Sequence, residues 1–112
     1  MKRYIWGATI AAIFIAFPFY VIAVDYLAQA DKIHDQGGVE NFKKSIDLYI
    51  KAVEQDPNDY EAAWKCARAH REYADKAKKK GMEGWKKICA QYGKAGMLYA
   101  QKAIELKPQR PD

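Results

Sequence analysis

Large and small residues alternate at helical spacing twice in the second half of this chain, and that pattern leaves few folds open to it. Trp64-Lys65-Cys66-Ala67-Arg68-Ala69 is followed about thirty residues later by Tyr99-Ala100-Gln101-Lys102-Ala103-Ile104-Glu105-Leu106-Lys107-Pro108. An earlier stretch, Tyr49-Ile50-Lys51-Ala52-Val53-Glu54-Gln55-Asp56-Pro57, repeats the later one. Residues three and four apart share a helix face, so bulky side chains set over alanines describe helices that pack closely. A repeated unit of this kind describes stacked helical hairpins, whose work is recognition of other molecules.

The N-terminal segment reads differently. After Met1-Lys2-Arg3, the run from Tyr4 to Val24 carries no charge. About 21 residues rise roughly 30 Å as a helix, the thickness of a bilayer's hydrocarbon core. The expected division is therefore a transmembrane anchor at residues 1–24, a helical domain at 25–108 and a tail at 109–112. Tyr4, Trp6, Tyr20 and Tyr26 fall near the two ends of the span, where amphipathic rings suit the headgroup region, and Pro18 is tolerated inside such a helix. A cleaved secretory signal is the competing reading, because Ala28-Gln29-Ala30 has the small-x-small form of a cleavage site. The apolar core of a signal is shorter, however, about 7–15 residues. Lys2 and Arg3 precede the span, while Asp25, Asp31, Asp35 and Glu40 outnumber Lys32 after it. Positive residues stay in the cytoplasm, so the domain is expected on the other side, which in a bacterium is the periplasmic face of the inner membrane.

Between Asp25 and Leu106 the apolar period is helical throughout and no strand pattern competes. Asp25 to His34 can extend the membrane helix outward, ending at Gly37-Gly38. Phe42, Ser45, Ile46, Tyr49, Ala52 and Val53 form one stripe of a second helix from Val39 to Gln55, which Pro57 ends. Asn58, with Glu61 three positions on, offers a cap for a third helix from about Asp59 to Lys80. Tyr60, Ala63, Trp64, Ala67, His70, Ala74 and Ala77 are expected inward on it. A fourth helix, from about Met82 to Leu106, presents Trp85, Ile88, Cys89, Tyr92, Gly96, Tyr99, Ala100 and Ala103. Gly93 and Gly96 each cost that helix about 1 kcal/mol against alanine, which close backbone approach would justify.

Ser45, Tyr49, Ala52 and Pro57, and again Gly96, Ala100, Ala103 and Pro108, resemble in order the second helix of a tetratricopeptide repeat. Trp64 matches the large residue that opens a first helix, whereas Arg68 stands where a small one is usual, and the spacing from Pro57 to Pro108 exceeds the common repeat by about half. The Trp-Lys-x-Ala-Arg-Ala opening and lengthened hairpin are more similar to the variant repeats of the regulator of microtubule dynamics family and its bacterial relatives. The resemblance spans roughly residues 26–108 and implies a short solenoid of about two hairpins; with the span read from Tyr4 to Val24, the chain is expected to be all-α, a transmembrane helix followed by that solenoid. The microtubule role in that family's name does not fit a domain outside the cytoplasm. A concave face made by first helices would expose Lys65, Arg68 and Glu72, with Asp75 and Lys76 beside them, as the partner-binding residues.

Charge is two-ended. Residues 25–64 hold four Lys or Arg against nine Asp or Glu, while residues 65–112 hold thirteen against five, a balance that can steer an acidic partner or bring copies together head to tail. The run Lys76, Lys78, Lys79 and Lys80 with Lys86 and Lys87 lacks a base-stacking platform, so it reads as a solvated hairpin tip and not a nucleic-acid site. No phosphate loop, nucleophile elbow or paired-cysteine metal motif is present, and neither catalysis nor a cofactor or metal is expected. Cys66 and His70, one turn apart on a helix, could share a metal with Cys89 in a rival metal or redox reading, and the late turn at Gly81 offsets the two cysteines, favouring free thiols over a disulfide. The chain is expected to act as a scaffold or accessory subunit of a membrane complex. Its rivals are a secreted binding module and a self-assembling oligomer subunit.

Overall fold

A computed structural model of the chain describes residues 24–107. The described residues form four helices, α1 (Tyr26–Asp35), α2 (Val39–Gln55), α3 (Tyr60–Lys79) and α4 (Trp85–Leu106), with no strand among them. The expected span at residues 4–24 lies outside the described residues except for Val24, and so does the tail at 109–112. Among the described residues no helix is long and apolar enough to cross a membrane.

Each helix packs on the next, α1 on α2, α2 on α3 and α3 on α4, because short turns fold consecutive helices back on one another. The turn after α1 uses Gly37 at φ 74°, whose N–H donates to the His34 carbonyl. The turn after α3 is a Schellman motif: Gly81 takes φ 61°, its N–H donates to Lys78, and that of Met82 donates to Ala77. Glycine adopts that left-handed conformation without a Cβ penalty, so it sits where each helix must stop. Phe42, Ile46, Tyr49 and Val53 of α2 then meet Ala62, Cys66, Ala69 and Tyr73 of α3, with Ala30 of α1 closing the core.

Three local expectations change. The first helix does not run on from the expected membrane span: Asp25 is a non-helical N-cap whose carboxylate accepts from the Ala28 N–H at 3.0 Å, so α1 starts afresh. The cap of α3 is Asp59, accepting from Ala62 at 3.2 Å, while the Asn58 N–H turns back to Asp56. Carboxylates win at both helix starts because they meet the free N–H groups and the positive end of the helix dipole together. Finally, α3 is buried on two sides. Its inward set includes Ala62, Cys66, Ala69 and Tyr73 as well as the expected Ala63, His70, Ala74 and Ala77, since one flank packs on α1 and α2 while the other receives α4. A helix buried on both flanks carries a broader apolar stripe than one that meets a single neighbour.

The two glycines of α4 have different reasons for being there. A Cβ on Gly96 would lie 3.0 Å from the His70 Cβ and 3.4 Å from the Ala67 carbonyl oxygen, whereas one on Gly93 would meet nothing within 4 Å. Only Gly96 is required by close approach of α4 to α3. Gly93→Ala is therefore expected to stabilise the full chain by about 1 kcal/mol, through helix propensity alone. Gly96→Ala is expected to destabilise it by about 1–3 kcal/mol through overpacking. Chemical denaturation midpoints of the two variants should move in opposite directions; a shared direction would contradict the packing described.

Candidate functional site

Two surfaces of the domain carry the side chains that chemistry could use. The first lies between α1 and α3. Tyr49, fully buried on α2, donates its hydroxyl to Asp31 Oδ1 at 2.6 Å, and Lys65 Nζ lies 2.8 Å from Asp31 Oδ2 and 3.3 Å from Glu61 Oε2. Burial works against the charge on Asp31, but the hydrogen bonds from Lys65 and Tyr49 outweigh it and hold the carboxyl below its usual range. Burial likewise opposes the charge on Lys65, and Asp31 and Glu61 override it to raise the ammonium pKa. Desolvation and the Asp31 carboxylate together push the Tyr49 phenol well upward.

One turn along, Arg68 lies over the Trp64 ring at 5.0 Å, and its Nε sits 3.3 Å from Glu72 Oε1. That contact is an ion pair by distance, yet the buried Nε makes no hydrogen bond among the described residues. His34 bridges the group, with Nε2 3.1 Å from Glu72 Oε2 and Nδ1 3.5 Å from an Arg68 terminal nitrogen. The tautomer protonated on Nε2 satisfies both contacts, donating to the carboxylate and accepting from the guanidinium. The structure thus brings Lys65, Arg68 and Glu72 onto one face. It also draws them partly inside, because Asp31 and His34 of α1 pair with the very groups a visiting peptide would use. Asp75 and Lys76, by contrast, are exposed.

The second surface is an apolar groove of about 680 Å³ between α3 and α4. Trp64, Ala67 and Ala74 form one wall, and Gly93, Met97, Ala100 and Ile104 form the other. Met97 is 74% exposed and Ile104 57%, so nothing among the described residues covers this flank of α4. Arg68, Arg71, Asp75 and Lys78 rim the α3 side. The stripe expected on α4 is the one that meets α3; the groove residues form a second stripe beside it. Its signal was present in the spacing of Gly93, Met97, Ala100 and Ile104, which recur at intervals of four, three and four residues.

The candidate redox residues are in ordinary packing. The imidazole of His70 is buried between Tyr92 and Tyr99, with ring centroids at 5.8 Å and 5.3 Å, and Nδ1 lies 2.7 Å from the Cys66 carbonyl oxygen. A carbonyl only accepts, so the proton is on Nδ1. Burial pushes the Cys66 thiol up to about 12, which keeps it protonated and unreactive at neutral pH. Cys89 donates to the Ala74 carbonyl at 3.5 Å, and both cysteines are free. Among the described residues no group of three His, Cys, Asp or Glu is placed to hold a metal ion. At the far end of the hairpin, Lys78 and Lys86 flank the Trp85 ring at 5.8 Å and 5.7 Å, and Lys79, Lys80 and Lys87 are exposed.

Compared with known proteins, residues 26–112 match the model of the family described as regulator of microtubule dynamics protein 1-3. No curated protein and no solved structure matches the chain.

Burial disfavours the imidazolium of His70, and its pKa lies below the ordinary 6.5 although the Cys66 carbonyl pulls the other way. As pH falls, the unfolded chain takes up this proton before the folded one does. Stability is accordingly full above about pH 6.5 and declines below it. The thermal midpoint of the full chain should drop as the pH is lowered from about 7 to about 5, and the slope should be shallower in His70→Gln. Equal slopes in the two proteins would show that another group titrates.

Proposed function

Because the chain belongs to the regulator of microtubule dynamics protein 1-3 family, we propose that it is a membrane-anchored scaffold or accessory subunit, a tetratricopeptide-like domain of two hairpins that binds protein partners without catalysing a reaction. The open flank of α4 is the observation that carries this reading. A solenoid is stable when each hairpin buries its face against a neighbour, and here the last hairpin keeps Met97 and Ile104 in solvent. Exposed apolar surface rimmed by charge is the usual mark of an interaction site. The half-buried charged groups between α1 and α3 are committed to one another, Asp31 to Lys65 and Glu72 to His34 and Arg68, which suits a binding module better than an enzyme.

The contact at Val24 sets which end of the domain such an anchor would adjoin. The Gln55 side-chain amide donates to the Val24 carbonyl at 2.9 Å, so the end of the uncharged run meets the corner between α2 and α3. Lys107, over the Tyr60 ring at 5.2 Å, brings the end of α4 to the same side. The lysine-rich tip around Trp85 lies at the opposite end of α3, roughly 30 Å away for a 20-residue helix. With residues 4–24 in a bilayer, that tip points away from it, and the domain stands in the periplasm or outside the cell. Anchoring raises the local concentration of the domain near a membrane complex, so weak contacts suffice.

Protease added outside intact cells should digest the domain, alkaline carbonate should leave the protein in the membrane, and crosslinking in native membranes should capture a protein partner. Intact mass lacking the first thirty or so residues would remove the anchor. A chain crosslinked to nothing would remove the scaffold.

A further inference from the structure

The groove between α3 and α4 has a definite chemistry. Its walls are apolar and shallow at Gly93 and Ala100, with Met97 and Ile104 standing out as knobs, and it runs the length of about four helical turns from Cys89 to Ile104. A helix laid along it would seat a stripe with the same spacing of three and four. The charges are one-sided: Arg68, Arg71 and Lys78 against Asp75. Arg68 is already engaged by Glu72 and His34, so the cations free to meet a ligand at this rim are the exposed Arg71 and Lys78. We propose that the groove takes an acidic amphipathic helix of a partner protein, its apolar stripe against Met97, Ala100 and Ile104 and its carboxylates against Arg71 and Lys78. This rests on the protein-interaction reading above and names the class of partner.

Charge and polarity argue against the other occupants. A second copy stacked head to tail would have to offer α1 and its caps, whose exposed residues Asp25, Ala28, Gln29, Lys32, Asp35 and Gln36 supply carboxylates but no apolar stripe to cover Met97 and Ile104. Two copies meeting through their grooves would bring two rims of the same positive excess together, Arg71 and Lys78 on each against the single carboxylate of Asp75, and like charges at an interface are unfavourable. The chain's own uncharged run, Tyr4 to Val24, supplies no carboxylate for Arg71 and Lys78.

The test uses the full chain in lipid nanodiscs and two fluorescent peptides of about 16 residues. Both carry leucines at helical spacing; glutamates fill the polar face of one and lysines that of the other. Anisotropy should show the glutamate peptide binding at least about tenfold more tightly at low salt, a preference that shrinks as salt is raised. Gly93→Leu fills the groove where a Cβ meets nothing within 4 Å, so it should preserve the helical circular dichroism and keep or raise the thermal midpoint while weakening the peptide about tenfold or more. Met97→Glu, at an exposed position, should do the same, and Arg71→Glu should abolish the preference for glutamate. Equal binding of the two peptides overturns the proposal, as does indifference to Gly93→Leu. So does peptide binding that appears only after residues 1–23 are removed, or a self-association in sedimentation that Gly93→Leu dissolves while neither peptide binds. If native-membrane crosslinking still captures the same protein in the Gly93→Leu chain, the interaction reading survives and only the groove assignment falls.

Discussion

The domain is held in register by one half-buried acceptor. Asp31, on α1, receives the Tyr49 hydroxyl from α2 through one oxygen and the Lys65 ammonium from α3 through the other, so three helices meet at a single carboxylate. A phenol as deeply buried as Tyr49 must find a partner, since an unsatisfied hydroxyl in the interior costs about 1–3 kcal/mol. A lysine half-withdrawn from water needs a counter-charge for the same reason. Apolar packing of Phe42, Ile46 and Val53 against the alanines of α3 brings the helices together without choosing among neighbouring rotations. The Asp31 node makes that choice, because only one setting of α1 satisfies both donors.

From that setting follows the character of the two outer faces. Turning Ala30 and Asp31 inward leaves Ala28, Gln29 and Lys32 of α1 in water, a polar outer surface of the kind that ends a solenoid. At the other end, close approach at Gly96 pulls α4 onto His70 and Ala67, and the residues one stripe away, Met97 and Ile104, are left facing outward. One end is finished and the other is open. The same inward rotation of α3 turns Lys65 and Glu72 toward α1, and it leaves Arg68 and Arg71 at the edge of the open groove. Charge therefore collects where apolar surface is exposed, although the two features arise from different contacts.

Much of the fold was legible in the residues. The helical period of Phe42, Ser45, Ile46, Tyr49, Ala52 and Val53 corresponds to the buried face of α2 residue for residue, because that helix has one core side and one wet side. The stops at Gly37 and Gly81 were legible because glycine is the residue that a left-handed turn favours. Less could be read from α3. Its alanines are compatible with either flank, so the period alone could not reveal that Cys66 and Ala69 belong to the core shared with α2, that Ala67 meets α4, and that Tyr73 reaches both, its ring 4.7 Å from that of Tyr92. The candidate site was partly legible: Lys65, Arg68 and Glu72 do share a face. Their capture by Asp31 and His34, more than thirty residues earlier, depends on a long-range contact that no local pattern encodes.

The order of amino acids alone determined that this is a chain of helices, where each one stops, which face of α2 is apolar, and that negative charge gathers in the first half and positive in the second. Those properties are local, set by backbone conformation and by side chains within a turn or two of each other. Tertiary structure decided which charges are spent on one another and which remain at a rim, and that the flank bearing Met97 and Ile104 is uncovered. Exposure and pairing are relations between segments distant in the chain, and they come into being only when the helices have chosen their neighbours.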